Sequence, residues 1–247
     1  MQRLGTFYRS VIGKKAIVAA TGAMLLAFLV FHLIGNLKAF LPDPAPGVYD
    51  IDLYSKFLRT VGEPLFPRTS LLWIIRCTLL AALTLHIVCV IQLANQSRNA
   101  RPVGYIHKSA HREATPSARW MLYTGSFLIL FIILHLLQFT TGTIGSTGFG
   151  QSVYGNLYVA FHKLYFVTFY AAAMAILALH LFHGAWSLFQ SLGLDNPDRN
   201  LGLRRFAMAV SIGIFLAFVS VPAAFFAGLM QAPKATAQLA QQFEQQR

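Results

Sequence analysis

Acidic side chains are scarce in this sequence. Asp and Glu together number 8 among 247 residues, against 20 Lys and Arg, and the interiors of the long apolar runs contain neither acid. A transporter or proton pathway built on relay histidines would show clustered acids and broken helices at mid-membrane, so this scarcity counts against that class. Cysteine is scarcer still. Cys77 and Cys89 fall within one apolar run, which excludes a disulfide framework and any cysteine-based metal-ligand spacing. No Cys-x-x-Cys-His motif is present, which excludes a covalently attached c-type haem. A glycine-rich nucleotide fingerprint is also missing.

Charge as a whole is low. Charged residues make up 11% of the chain, whereas a soluble domain carries about 25%. Hydrophobic residues make up 56% and mean hydropathy is +0.56. These values indicate a polytopic membrane protein without a large soluble core. The net charge of +12 then reads as basic residues retained on the cytoplasmic side of the membrane, not as a nucleic-acid surface.

Five spans are expected: Ala16–Leu37, Leu71–Ala94, Trp120–Thr140, Leu157–Leu188 and Phe206–Met230. The first is too long for a signal-peptide core and lacks a convincing cleavage site, so it reads as a retained span. Between spans one and two, a proline-rich loop leads into an expected interfacial helix over Asp50–Val61, with Tyr54, Phe57 and Leu58 as its apolar stripe. Residues 1–230 form the membrane domain, and 231–247 form a polar, Gln- and Ala-rich tail. Basic residues gather in the N-terminal arm (Arg3, Arg9, Lys14, Lys15), in the second loop (Arg98, Arg101, Lys108, Arg112, Arg119) and in the fourth (Arg199, Arg204, Arg205), while the loop Thr141–Gly155 has none. The positive-inside rule then places the N-terminus in the cytoplasm and the C-terminus outside, in a cell (inner) membrane.

Four of these spans carry a histidine: His32, His86, His135 and His180. Histidine is costly in lipid, so an intramembrane one is a functional-site candidate. Neutral imidazole is also a common metal ligand. His32 lies 17 residues after Lys15 and His135 lies 16 after Arg119, which is roughly 25 Å and 24 Å along helices running in the same direction. They share one depth, near the outer side. Spans two and four run the other way, so His86 and His180 share the inner half. Two levels with two imidazoles each is the arrangement that two bis-histidine haems require. The bland alternative is four histidines acting as polar glue between helices.

Other residues carry weaker signals. Arg76, just inside the outer start of span two, is placed either to pair with the propionates of the outer haem or to snorkel to the headgroups. His183 lies one turn from His180 and competes with it as ligand. His180 has Gly184 on its own face at i+4, where the missing side chain leaves room for a flat ring, whereas His183 has Ser187 there. His183 is therefore expected in a supporting role, such as a hydrogen bond to a propionate. Glu63, near the outer end of span two, is the acidic residue placed to accept a proton from a quinol. His107 and His111 lie in the basic second loop and are expected to be solvated. His162 and Lys163 sit near the outer start of span four.

The four-histidine, five-span order, together with Gly62-Glu63-Pro64 and His180-x-x-x-Gly184-x-Trp186, resembles the two-haem cytochrome b anchor of succinate:quinone oxidoreductases in its single-polypeptide form. The resemblance covers roughly residues 1–230. It implies an all-α membrane protein whose first four spans form a dihaem bundle, with His180 as the ligand four residues before the glycine. It also implies an iron–sulfur subunit and a flavoprotein subunit on the cytoplasmic face, where succinate oxidation or fumarate reduction would occur. Electrons would pass through the clusters to the inner haem b and then the outer one, with quinone, usually menaquinone, reacting in the anchor. The same histidines would also suit a dihaem cytochrome b of a hydrogenase or formate dehydrogenase, and the motifs tip the choice. A haem-free transporter is the rival of a different class.

Overall fold

A computed structural model describes residues 2–100, 116–145, 152–196 and 198–233. The candidates Arg101, His107, Lys108, His111 and Arg112 in the second loop, part of the glycine-rich loop (146–151) and the tail from 234 onward lie outside these residues.

All regular elements among the described residues are helical: α1 (Gln2–Arg9), α2 (Val11–Leu37), α3 (Asp50–Thr60), α4 (Ser70–Asn99), α5 (Pro116–Phe139), α6 (Val153–Phe161), α7 (Leu164–Ser191) and α8 (Asn200–Phe226). A short 3-10 turn over Lys38–Phe40 extends α2. Five helical stretches are long and apolar enough to cross a membrane: Val11–Phe40, Ser70–Asn99, Trp120–Phe139, Leu164–Ser191 and Asn200–Phe226. With no water in the hydrocarbon region to solvate a broken backbone, such runs satisfy their own amides as helices.

The helix ends explain how spans one and four differ from expectation. Span one starts earlier, because the Ser10 hydroxyl caps α2 by accepting from the Gly13 amide at 2.9 Å. Span four is not the single helix Leu157–Leu188. It is interrupted at His162–Lys163, where Lys163 is extended (φ −101°, ψ 113°), and the spanning helix α7 begins at Leu164. Lys163 Nζ donates to the Gly145 carbonyl at 3.3 Å, which ties the break to the loop that follows α5. The expected interfacial helix is present as α3.

Helix α2 packs on α4, and α5 packs on α7; α8 lies chiefly against α7 and also touches α2. The first four spans are therefore two antiparallel pairs, with α2 meeting α7 across the middle and α8 closing one side. The densest packing lies toward the end of the bundle where α5 finishes and α7 begins. There Tyr154, Phe161, Tyr170, Ala173 and Phe225 are buried together with Tyr49 and Ile51 from the region of α3.

Asp52 joins the two ends of this layer. Its carboxylate accepts from the amides of Val153 and Tyr154 and from the Ser152 hydroxyl. A carboxylate there satisfies orphan amides at the N-terminus of α6 and opposes the positive end of the helix dipole. Tyr49 and Tyr154 stack above it with centroids 3.8 Å apart. Burial pushes the Tyr154 hydroxyl up to about 12, so it stays protonated and donates to the Gln231 carbonyl at 3.0 Å. Asp52→Ala is expected to cost about 1–3 kcal/mol, the penalty of stranding partly buried donors. A several-degree fall in the Tm of the detergent-purified protein would register it, and an unchanged Tm would show that the clamp is dispensable.

Candidate functional site

Two of the four histidines meet directly across the helix pairs. His32 of α2 faces His135 of α5, with ring centroids 5.8 Å apart and ring planes at 86°. That separation is close to the roughly 6 Å expected for two imidazoles on opposite sides of one metal ion, each nitrogen at roughly 2 Å. His32 stacks on Phe28 at 5.5 Å and His135 on Phe131 at 5.7 Å. Phe218 of α8 closes on His32 at 6.0 Å, so the fifth span contributes to this level. His86 of α4 and His180 of α7 sit at a second level, since their Nδ1 partners Thr21 and Thr124 each lie 11 residues before His32 and His135 on the same helices. The pairing by depth therefore reappears as a ring contact for His32 and His135 and as a shared level for His86 and His180.

What prepares these rings as ligands is the partner of each Nδ1. His86 Nδ1 lies 3.2 Å from Thr21 Oγ1, and His180 Nδ1 lies 3.1 Å from Thr124 Oγ1. Each threonine already donates its proton to its own helix: Thr21 to the Ile17 carbonyl at 2.7 Å, and Thr124 to those of Trp120 and Met121 at 3.1 Å. Each hydroxyl is left as an acceptor, so the histidine Nδ1 must carry the hydrogen. His135 follows the same logic with a different partner. Its Nδ1 lies 3.1 Å from the Tyr170 hydroxyl, which donates to Gln138 Oε1 at 2.8 Å. In all three rings Nδ1–H is spent and the Nε2 lone pair is left free, as a metal-ligating histidine requires. The His32 ring is held by Phe28, His135 and Phe218 instead.

Thr21-Gly22 and Thr124-Gly125 were missed as candidates. In both α2 and α5 the threonine precedes that helix's own histidine by 11 residues, three turns that return to the same face at roughly 16 Å separation. This Thr-Gly-x9-His repeat was the available signal. Each helix offers its histidine at one level and a hydroxyl at the other. The glycines let the partner ring in: a Cβ at Gly22 would sit 3.3 Å from His86 Cε1, and one at Gly125 would sit 3.6 Å from His180 Cε1. At Gly184 a Cβ would meet nothing within 4 Å, so space for a ring beside His180 exists there.

His183 points to a different task. Its Nδ1 and the Nε1 of Trp186 are both buried without a partner. The rings are 6.5 Å apart, and the Arg204 guanidinium lies 5.3 Å over the Trp186 ring. A buried Trp186 N–H beside a cation and an unpartnered imidazole nitrogen suits an anionic oxygen ligand. Arg76 is exposed and stacks on Trp73 at 5.1 Å, and the structure does not bring it to any of the four histidines. Glu63 is exposed in the turn between α3 and α4, again without contact to a histidine. His162 bonds the Tyr158 carbonyl of its own helix at 2.8 Å. Cys77 and Cys89 are free thiols.

Among the described residues, no three His, Cys, Asp or Glu side chains converge. The histidines come in twos. A lone ion such as zinc takes about four ligands, at least three of them usually from protein. Two imidazoles suffice where a macrocycle supplies the equatorial set, as in haem. The His32–His135 separation fits a haem between them, and His86 and His180, with Nδ1 likewise tethered, are the residues that would hold a second; Trp186 and Arg204 would suit a propionate. Comparisons with protein-family models, with curated proteins and with solved structures give no match.

Proposed function

We propose that this chain is a dihaem cytochrome b membrane anchor of the succinate:quinone oxidoreductase type, passing electrons between an iron–sulfur subunit and a membrane quinone. The observation that carries the haem part is the tethering of Nδ1 in His86, His135 and His180, with His32 facing His135 at one level and His86 and His180 held at the other. Two b haems would supply one-electron redox chemistry at the two levels. The protein's own part is to fix the imidazole tautomers, hold the rings on separate rigid helices, and keep acids out of the low-dielectric interior. The choice of the succinate complex over a hydrogenase or formate dehydrogenase partner rests on Gly62-Glu63-Pro64 and His180-x-x-x-Gly184-x-Trp186. In that reading menaquinone is the quinone, the flavoprotein sits beyond the iron–sulfur subunit on the cytoplasmic face, and no nucleic acid is bound.

The test is a cofactor and subunit inventory of the complex purified in mild detergent. The expected result is a b-type spectrum, two non-covalent haems per chain, and a co-purifying flavoprotein with covalent flavin. One haem per chain would show that one pair is misassigned. Two haems without the flavoprotein would keep the dihaem site and reject the succinate complex. A preparation with no b-type band would leave the histidines as packing groups.

A further inference from the structure

Helix α3 keeps one face free of the bundle. Its inner side is locked. Tyr54 lies on Gly35, where a Cβ would come within 2.8 Å of the tyrosine ring. Ile51 is buried, and Asp50 pairs with Lys38 at 2.8 Å. At about 100° per residue, the outer side forms a graded arc: Phe57 and Leu53 at one edge, Lys56 in the middle and Arg59 at the far edge. All four are exposed. The apolar stripe expected for this helix is therefore divided, with Tyr54 turned to the protein and Phe57 away from it. The turn over 62–68 adds Leu65, 88% exposed, and Phe66. It is pinned to α4, since a Cβ at Gly62 would run into Leu71 at 2.6 Å.

Two independent measures place this shelf at the edge of the hydrocarbon. Gly35 lies 20 residues after Lys15, roughly 30 Å along α2, and the apolar core of a bilayer is about 30 Å thick. The Thr21–His86 contact at 3.2 Å fixes the register of α2 against α4. From it, Gly35 is 14 residues onward and Trp73 is 13 residues back, roughly 21 Å and 20 Å toward the same end of the bundle. Trp73 is 57% exposed, and tryptophan gathers at the membrane–water boundary. Gly35, the Tyr54 ring that covers it and Trp73 thus mark one plane.

We propose that α3 and the 62–68 turn seat an anionic phospholipid of that leaflet, with Lys56 and Arg59 on its phosphate and with Phe57, Leu53, Leu65 and Phe66 against the upper part of its chains. An interfacial helix works in this way, its apolar edge sunk to the acyl boundary and its basic edge among the head groups. Neither Lys56 nor Arg59 has an acidic partner among the described residues. Asp52, at the other end of the helix, is taken up by the start of α6. Between residues 50 and 70 the exposed acid is Glu63, against Lys56, Arg59 and Arg68, so the seat is net positive. Arg59 Nη1 donates to the Ser55 carbonyl at 2.7 Å, which holds the guanidinium along the helix edge, and guanidinium suits phosphate oxygens. A zwitterionic lipid has the same phosphate but brings its own cation, which these side chains repel. The proposal stands on α2, α3 and α4 alone and does not depend on the dihaem reading.

The test uses the full chain with its native partners in nanodiscs of phosphatidylcholine, photolabelled with a trace of phosphatidylglycerol carrying a diazirine near its head group. Label is expected in α3 and in the 62–68 turn. Unlabelled phosphatidylglycerol should displace it, whereas added phosphatidylcholine and inorganic phosphate should not. Lys56→Ala and Arg59→Ala should each weaken that competition about fivefold, which corresponds to roughly 1 kcal/mol per basic residue near an anionic surface. Phe57→Ala should weaken binding of both lipids about three- to tenfold and leave the preference between them unchanged. All three positions are exposed, so the fold is not at risk. Equal displacement by phosphatidylcholine, displacement by inorganic phosphate, or wild-type competition in the Lys56→Ala, Arg59→Ala double variant would overturn the proposal. A shelf that labels in the isolated chain but not in the complex would overturn it too, since a protein would then cover this face.

Discussion

On the proposed dihaem reading, His180→Ala is expected to remove one haem of two and to leave the other with an unchanged spectrum and potential. His86→Ala should lose the same haem. His32→Ala and His135→Ala should each lose the other one. The forecast follows from the pairing, since each level has two imidazoles and no third protein ligand converges on it among the described residues. Removing one imidazole halves the protein's axial ligation, and no neighbouring side chain is placed to replace it. His183→Ala is the control. It lies three residues from His180, about 60° around the helix, but its Nδ1 is unpartnered where that of His180 is tethered to Thr124. It should retain both haems, with a shifted potential on one. Haem-to-protein ratios and redox titrations of the five variants decide the matter. If His183→Ala loses a haem that His180→Ala keeps, the ligand assignment on α7 is reversed.

The parts of this molecule that depend on length and apolarity were legible in the sequence. Five spans and α3 are present as expected, span four apart from its break and later start at Leu164, because an apolar run of that length has no other way to satisfy its backbone in lipid. The His32–His135 pairing was legible for a similar reason: depth along a helix needs only the rise per residue. Long-range polar contacts were not legible. Asp52 meets the start of α6 across about one hundred residues, and a loop aspartate gives no local sign of such a partner. The break at His162–Lys163 sits in an apolar stretch with no proline, so the hydropathy pattern runs through it. Thr21 and Thr124 were passed over because a threonine in an apolar helix ordinarily bonds its own i−4 carbonyl. Both do so, and only the tertiary arrangement shows the second, accepting role of the same oxygen. Tyr170 was hidden among many aromatics, and its link to His135 depends on how α5 and α7 turn toward each other. Arg76 shows the converse. Its charge drew attention in the sequence, yet the structure sets it on Trp73.

On the same reading, Thr21→Val and Thr124→Val should each weaken binding of the haem proposed at His86 and His180 by about 10- to 100-fold, the usual effect of removing the partner that orients a metal-bound histidine. Valine keeps the shape of threonine and removes only the hydroxyl. The Thr-Gly backbone, and with it the approach of the ring at Gly22 or Gly125, is unchanged. What is lost is the acceptor for Nδ1–H. The imidazole becomes less basic and freer to rotate, and less basic axial ligands favour ferrous over ferric iron. The midpoint potential of this haem should therefore rise in both variants. The same argument predicts that the His32–His135 haem does not respond, because its own tether is Tyr170 on a different helix, about three turns from the threonines. Tyr170→Phe should produce the mirror result, raising the potential of the His32–His135 haem alone. A redox titration that resolves both haems in the three variants tests this. A shift of the wrong haem, or equal shifts of both, would mean that the hydroxyls do not act through the ring nitrogens they touch. The two levels would then be coupled by something other than these hydrogen bonds.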